Sequence, residues 1–287
     1  MKTTAQNRSP IRLTNDFVFK MVYGSDTEES KFILKSLLNK ILGREDDPIV
    51  SIEYKNPFIL KESMDEKETV LDIKAETNNR ELIDIEMQMN WYREMPERLL
   101  YYHGGLLRES LQEGENYDKM KQTITICITD SEAFPKSKKF LNEFYFMEKD
   151  EYFKLTEITK MCCIELPKVN PNNRKPEELS PLEICLEYLR CADENGSEYV
   201  DELVRRGGKE LEMAQEILRK ATEEEILREK AIAHEKFLRD KLHAESYYDR
   251  GRIDEKREIA ANLKNSGIPI DIIAKNTGLT AEEIEKL

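Results

Sequence analysis

The sequence lacks any run of eighteen or more apolar residues. A membrane-crossing helix needs about 20, so no span is expected. Histidine is scarce: His103, His234 and His243 are the only three, too few and too scattered for a His-rich metal site or a catalytic triad. Cysteine numbers five, and no two form a C-x-x-C pair. An odd count is a poor disulfide framework, and the spacing supports neither zinc binding nor thiol catalysis. Cys127, Cys162 and Cys163 fall in apolar runs, where a cysteine acts as a small buried hydrophobe. Positive charge is in deficit, 45 Lys and Arg against 58 Asp and Glu, a net charge of −13. Such a chain does not grip polyanions by bulk charge, and any contact with them must come from a local patch. Residues 1–11 lack the apolar centre of a secretory signal, which predicts a chain that stays in the cytosol. No internal repeat and no low-complexity tract is present.

What remains is ample for a folded protein. At 287 residues the chain suits one large domain, or a medium domain with a helical annex. Apolar residues make up 39%, enough for a core, and 36% charge predicts long solvated helices. Ser25 and Glu28 have the spacing of a capping box ahead of a helix that carries Phe32, Leu34, Leu37, Leu38 and Ile41 and stops at Gly43. Strand-like segments follow at residues 48–60, 69–77 and 81–89, the last two joined by the turn-prone Asn78-Asn79-Arg80. Pro96 opens a second helix that runs to about Gln112. Gly104-Gly105 in its middle lowers helix propensity and predicts close packing on a sheet. Residues 123–129 and 160–166 complete the strand pattern. Helix, three strands, helix and strands predict an α/β fold, a mixed sheet flanked by helices.

The chemistry is concentrated in Val70-Leu-Asp-Ile-Lys-Ala-Glu76 and Leu82-Ile-Asp-Ile-Glu-Met-Gln-Met89. Side chains alternate across a strand, so Asp72, Lys74 and Glu76 share one face, and Asp84, Glu86 and Gln88 share another. Leu71, Ile73, Ala75, Ile83, Ile85 and Met87 face a core. A hairpin that brings Asp72 near Glu86 sets carboxylates side by side, and like charges at that distance need neutralising. A hard divalent cation does this, and Mg²⁺ favours one or two carboxylates with waters and a phosphate. A half-exposed hairpin with a wet acidic face gives the same alternation.

The order of these motifs resembles the PD-(D/E)XK nuclease superfamily, and most closely the Rpn recombination-promoting nucleases, also described as PD-(D/E)XK family transposases. The matching residues are Asn15-Asp16-Phe17-Val18-Phe19-Lys20, Leu71-Asp72-Ile73, Asp84-Ile85-Glu86-Met87-Gln88, Arg98 with Tyr101-Tyr102, and Ile164-Glu165-Leu166-Pro167-Lys168. The resemblance implies a restriction-endonuclease-like sheet and hydrolysis of DNA phosphodiesters in recombination or transposition. It makes Asp72 and Glu86 the metal-binding acids for Mg²⁺, with Mn²⁺ or Ca²⁺ as substitutes, and adds the Met87 carbonyl as a further ligand. Gln88 stands where the superfamily usually has lysine. Its amide can orient water, but it brings no positive charge. Leu71 replaces the proline of the family name. Lys20, Lys74, Arg98 and Arg108 are candidate DNA contacts, the two arginines the better ones because their helix soon follows Glu86. Tyr101-Tyr102 reads as core. The alternative is a catalytically weak or inactive DNA-binding or assembly protein derived from such a nuclease, a reading motivated by Gln88 and the acidic balance.

Domain bounds follow as a nuclease-like domain at 1–168, a proline-rich linker at 169–181, and a helical C-terminal region at 182–287. That region is dense in mixed charge over 221–258, the pattern of a solvated helix face. It ends in a helix-turn-helix-like hairpin with Gly278 in the turn and Thr280 capping the second helix. Glu282, Glu283 and Glu285 make that hairpin a poor groove reader, so packing or homo-oligomerisation is expected of it.

Overall fold

The computed structural model describes residues 11–56, 73–193, 195–223, 256–257 and 259–287. In it the acidic-and-apolar segments form the expected hairpin, built from β2 (Ile73–Thr77) and β3 (Leu82–Gln88). The two strands are antiparallel, with Ile73 opposite Ile85 and Ala75 opposite Ile83. Arg80 takes a left-handed φ of 59° in the turn. β1 (Ile52–Tyr54) adds antiparallel to β2. On the other side β4 (Thr123–Thr129) and β6 (Thr159–Glu165) add in parallel. β5 (Leu141–Phe144) closes that edge antiparallel to β6, giving a six-stranded mixed sheet in the order β1-β2-β3-β4-β6-β5. The sequence reading has no strand at β5. Leu-Asn-Glu-Phe is too short and too polar to stand out, and pairing with β6 is what makes it a strand.

Both faces of this sheet are covered. On one, Ile83, Ile124, Ile126, Ile128 and Ile164 are each 0% exposed and join a core with the N-terminal helices. Burying a side chain of this size contributes about 1.5–3 kcal/mol, so this stripe of isoleucines dominates the stability of the sheet. The helices are α1 (Asp16–Gly24) and α2 (Glu28–Leu42). Asn15 caps α1 by accepting from Val18 N–H at 3.2 Å. Thr27, not Ser25, caps α2, accepting from Ser30 N–H at 3.1 Å. Ser25 is otherwise engaged: its hydroxyl donates back to the Met21 carbonyl at 2.6 Å at the end of α1. Gly43 ends α2 in the left-handed region, φ 61°.

The second face lies under α3 (Met95–Glu109), which turns Met95, Leu99, His103 and Leu106 inward. Met95 and Leu99 pack on Cys127 and Cys163. Burial raises both neighbouring thiols, Cys162 to about 11 and Cys163 to about 12, so each stays protonated. Close packing does not explain Gly104-Gly105, because a Cβ at either position meets nothing within 4 Å. Neither glycine belongs to the inward stripe. Gly104→Ala is therefore expected to stabilise the protein by about 0.5–1 kcal/mol. In a domain of this size that is a rise of about 1–4 °C in the midpoint of a thermal melt. A lower midpoint would mean that the position is not as open as it looks.

The proline-rich stretch after β6 is ordered locally. Val169 and Leu179 are buried, and Asn170 Oδ1 accepts from Arg174 N–H at 2.7 Å. Then come α4 (Pro181–Cys191), α5 (Glu198–Gly207) and α6 (Lys209–Glu223). Ser180 and Glu183 form a capping box on α4, and Leu186, Tyr188, Leu203 and Leu218 join the same core as the sheet. Residues 1–231 make one compact unit and 232–287 a second. Most of the mixed-charge helix read over 221–258 lies outside the described residues.

In the second unit, helices Ile270–Thr277 and Ala281–Glu285 form a hairpin around Ile273, Ile284 and Ala260. Gly278 turns with φ 71°, and Thr280 forms a capping box with Glu283, both as the sequence predicts. Among the described residues no helix is long and apolar enough to cross a membrane.

Candidate active site

The alternation of β3 sends Asp84, Glu86 and Gln88 to the side opposite the isoleucine core, under α3. That position changes their chemistry. Asp84 and Glu86 are each 1% exposed, so the acidic face is not wet. Two residues apart on one strand, they stand about 7 Å from one another, and burial makes that proximity of like charges expensive. Gln88, half-buried at the strand end, donates its Nε2 to Glu86 Oε2 at 3.3 Å.

Positive charge arrives from α3. Pro96 starts the helix, and the first turn delivers Arg98 to the neighbourhood of Glu86. The guanidinium donates to the Tyr92 hydroxyl and lies 5.2 Å from the centre of the Tyr102 ring. Burial opposes its charge. The Tyr92 hydrogen bond and the Glu86 carboxylate outweigh that burial and hold Arg98 protonated more firmly than an ordinary arginine. Glu86, Gln88, Arg98, Tyr92 and Tyr102 thus form one constellation at the carboxyl end of β3. Carboxyl ends of parallel strands are where open α/β sheets place their ligands.

The other sequence candidates are placed as follows. Asp72 lies outside the described residues, directly before Ile73 in the sequence. Met87 directs its side chain into the core at 4% exposure, which leaves only its backbone for any ligand. Lys20 is 6% exposed on α1, beside Gly24 on the core face of the sheet, whereas Arg98 lies on the α3 face. Lys74 has its Nζ 3.5 Å from Glu109 at the far end of α3. Arg108 is exposed and ten residues beyond Arg98, about 15 Å along the helix. Tyr101 is 80% exposed, which corrects its reading as core: it points away from the Leu99–His103–Leu106 stripe. Glu76 belongs to a peripheral ion cluster, where first Lys121 at 2.7 Å and then Lys55 at 2.9 Å hold its carboxyl below the usual range.

Two features escaped sequence reasoning. Asp130, directly after β4, donates its backbone N–H to the Gln88 carbonyl at 3.0 Å. Burial raises its carboxyl, and Arg12, Arg190 and the Thr14 hydroxyl pull it back only in part. The available signal was an acid closing the β-branched run Thr123–Thr129. His103, set aside as isolated, is 2% exposed between the hydroxyls of Thr125 and Thr159, with Nδ1 2.9 Å from Thr125 Oγ1. Burial lowers its basicity, and a neutral imidazole tying α3 to β4 and β6 follows.

For a divalent cation, the donor chemistry fits. Glu86 offers hard carboxylate oxygens in a sequestered position, the donor type Mg²⁺ and Ca²⁺ prefer. Among the described residues no three His, Cys, Asp or Glu side chains converge on a metal-sized site. A family model described as PD-(D/E)XK nuclease family transposase matches residues 13–247. No curated protein matches the chain, and no solved structure does.

Proposed function

Because the chain belongs to the PD-(D/E)XK nuclease family transposases, we propose that it is a metal-dependent endonuclease that hydrolyses DNA phosphodiesters in recombination or transposition. The observation that carries this reading is the buried Glu86 with Gln88 and Arg98 beside it at the carboxyl end of β3. The missing acid is assigned to Asp72. It directly precedes Ile73 in the sequence, and Ile73 pairs with Ile85, the neighbour of Glu86.

In this mechanism Asp72 and Glu86, helped by the Met87 carbonyl, would hold Mg²⁺, with Mn²⁺ or Ca²⁺ as substitutes. A bound divalent cation lowers the pKa of a coordinated water and polarises a phosphate oxygen. Gln88 fixes the orientation of the Glu86 carboxylate and can hold a water by its amide, without adding charge. Arg98, kept protonated beside Glu86, takes up phosphate negative charge that Gln88 cannot balance. Tyr92 and Tyr102 orient its guanidinium. Lys74 stands opposite Asp84 on the acid-bearing face with its Nζ turned to Glu109. Arg108 is ten residues along the helix from Arg98. Both are open to phosphates flanking the site, whereas Lys20 lies on the core face.

Supercoiled plasmid tests the reading. Conversion to nicked or linear DNA is expected in Mg²⁺ or Mn²⁺, and none in EDTA. Gln88 in place of lysine favours a second reading, a DNA-binding or assembly protein without turnover. Metal-independent duplex binding with no cleavage in either ion would establish that reading instead.

A further inference from the structure

The segment that follows β4 plays no part in the chemistry above, yet it is held more tightly than a surface turn requires. Glu165, 0% exposed at the end of β6, accepts the backbone N–H groups of Ala133 and Phe134 on Oε2, at 2.8 and 3.1 Å. Its Oε1 accepts from Asn142 Nδ2 at 3.1 Å. Lys168 Nζ lies 2.7 Å from Glu165 Oε2 and donates to the carbonyls of Phe134 and Ser137, at 2.7 and 2.8 Å. Ser137 Oγ accepts from Lys139 N–H at 3.2 Å and donates to Asn142 at 2.8 Å. A buried carboxylate–ammonium pair therefore sets the backbone path from Ala133 to Lys139.

What this turn displays is cationic. Lys136, Lys138 and Lys139 are exposed, three lysines within four residues. Among the described residues none of the three has an acidic partner. By contrast Lys31, Lys40, Lys55, Lys121 and Lys160 each pair with a carboxylate. Glu132, the acid on the same segment, lies 3.7 Å from Lys168 instead. In a chain of net charge −13 this is a local excess of positive charge on a fixed scaffold. The segment also starts at the candidate site: Asp130 N–H donates to the Gln88 carbonyl, and Ser131 Oγ accepts from Trp91 N–H at 2.6 Å.

We propose that Lys136, Lys138 and Lys139 form a phosphate-binding turn that seats the backbone of duplex DNA beside the Glu86 site. The proposal rests on the nuclease reading and names part of its substrate surface. Exposed ammonium groups give sequence-independent contact with phosphates, which positions a duplex without reading its bases. They also supply the local patch that a net acidic chain needs.

Duplex binding is measured by fluorescence anisotropy between about 50 and 200 mM salt, in EDTA and in protein carrying Glu86→Gln, so that cutting is suppressed. Adding Lys136→Gln, Lys138→Gln and Lys139→Gln is expected to weaken binding. The slope of log affinity against log salt should become shallower by about 2–3, roughly 0.9 for each lost phosphate contact. These exposed substitutions should leave the thermal midpoint unchanged. In otherwise wild-type protein the triple change should raise KM and spare kcat. Duplex binding with the same slope before and after the triple change overturns the lysine turn and leaves the nuclease reading standing. Failure of the wild-type protein to bind or cut duplex at the lowest salt overturns both. Selective loss of binding to an acidic peptide, with duplex binding unchanged, assigns the turn to a protein partner and also overturns the proposal.

Discussion

Glu86→Gln is expected to lower DNA cleavage on the order of 10²- to 10³-fold and to remove divalent-cation binding. The exchange keeps size and shape but replaces an anionic, hard oxygen donor with a neutral amide, which a divalent cation holds poorly. Stability should change little. Glu86 is 1% exposed, and its neutral replacement relieves repulsion with Asp84 two residues away. Arg98 loses its carboxylate neighbour but retains Tyr92 and Tyr102. Plasmid cleavage in Mg²⁺, Ca²⁺ titration calorimetry and a thermal melt of the same sample form the test. Cleavage at the wild-type rate by a folded Glu86→Gln protein would remove Glu86 from the chemistry and the proposed mechanism with it.

Glu165→Ala is expected to destabilise the protein by about 3–5 kcal/mol. The midpoint of a thermal melt should fall by roughly 6–20 °C. The variant removes the buried counter-charge of the Lys168 ammonium, 13% exposed, and leaves it only the exposed Glu132 at 3.7 Å. It also leaves the N–H groups of Ala133 and Phe134 and the Asn142 amide without their acceptor. Unsatisfied buried donors cost more than the net value of the bonds they made. Glu165→Gln, which still offers an acceptor oxygen, should lose less. Urea unfolding of the three proteins gives the comparison, and a Glu165→Ala protein as stable as wild type would contradict it. The Ile-Glu-Leu-Pro-Lys motif thus contributes to the resemblance through a residue pair that organises a loop.

Much of the architecture was legible from short-range pattern. Period-two alternation located the β2–β3 hairpin and assigned Ile83, Ile85 and Met87 to one face and Asp84, Glu86 and Gln88 to the other, as found. Gly43, Gly278 and Thr280 marked helix ends correctly, because left-handed turns and N-caps are decided by one or two residues. Ser25 was misassigned as a cap because a hydroxyl has two directions in which to bond, and only the path of α1 decides between them. β5 was missed because its strand character comes from β6 rather than from its own four residues.

The amino-acid sequence alone determined the order of helices and strands apart from β5, the family, and the strand face that bears the acids, since each depends on neighbours a few positions apart. Tertiary structure alone decided that α3 covers that face, that Glu86 becomes a buried acid with Arg98 at its side, and that Glu165 reaches back some thirty residues to shape the lysine turn. Burial and charge pairing depend on which surfaces meet after long stretches of chain have closed, and local periodicity carries no record of that meeting.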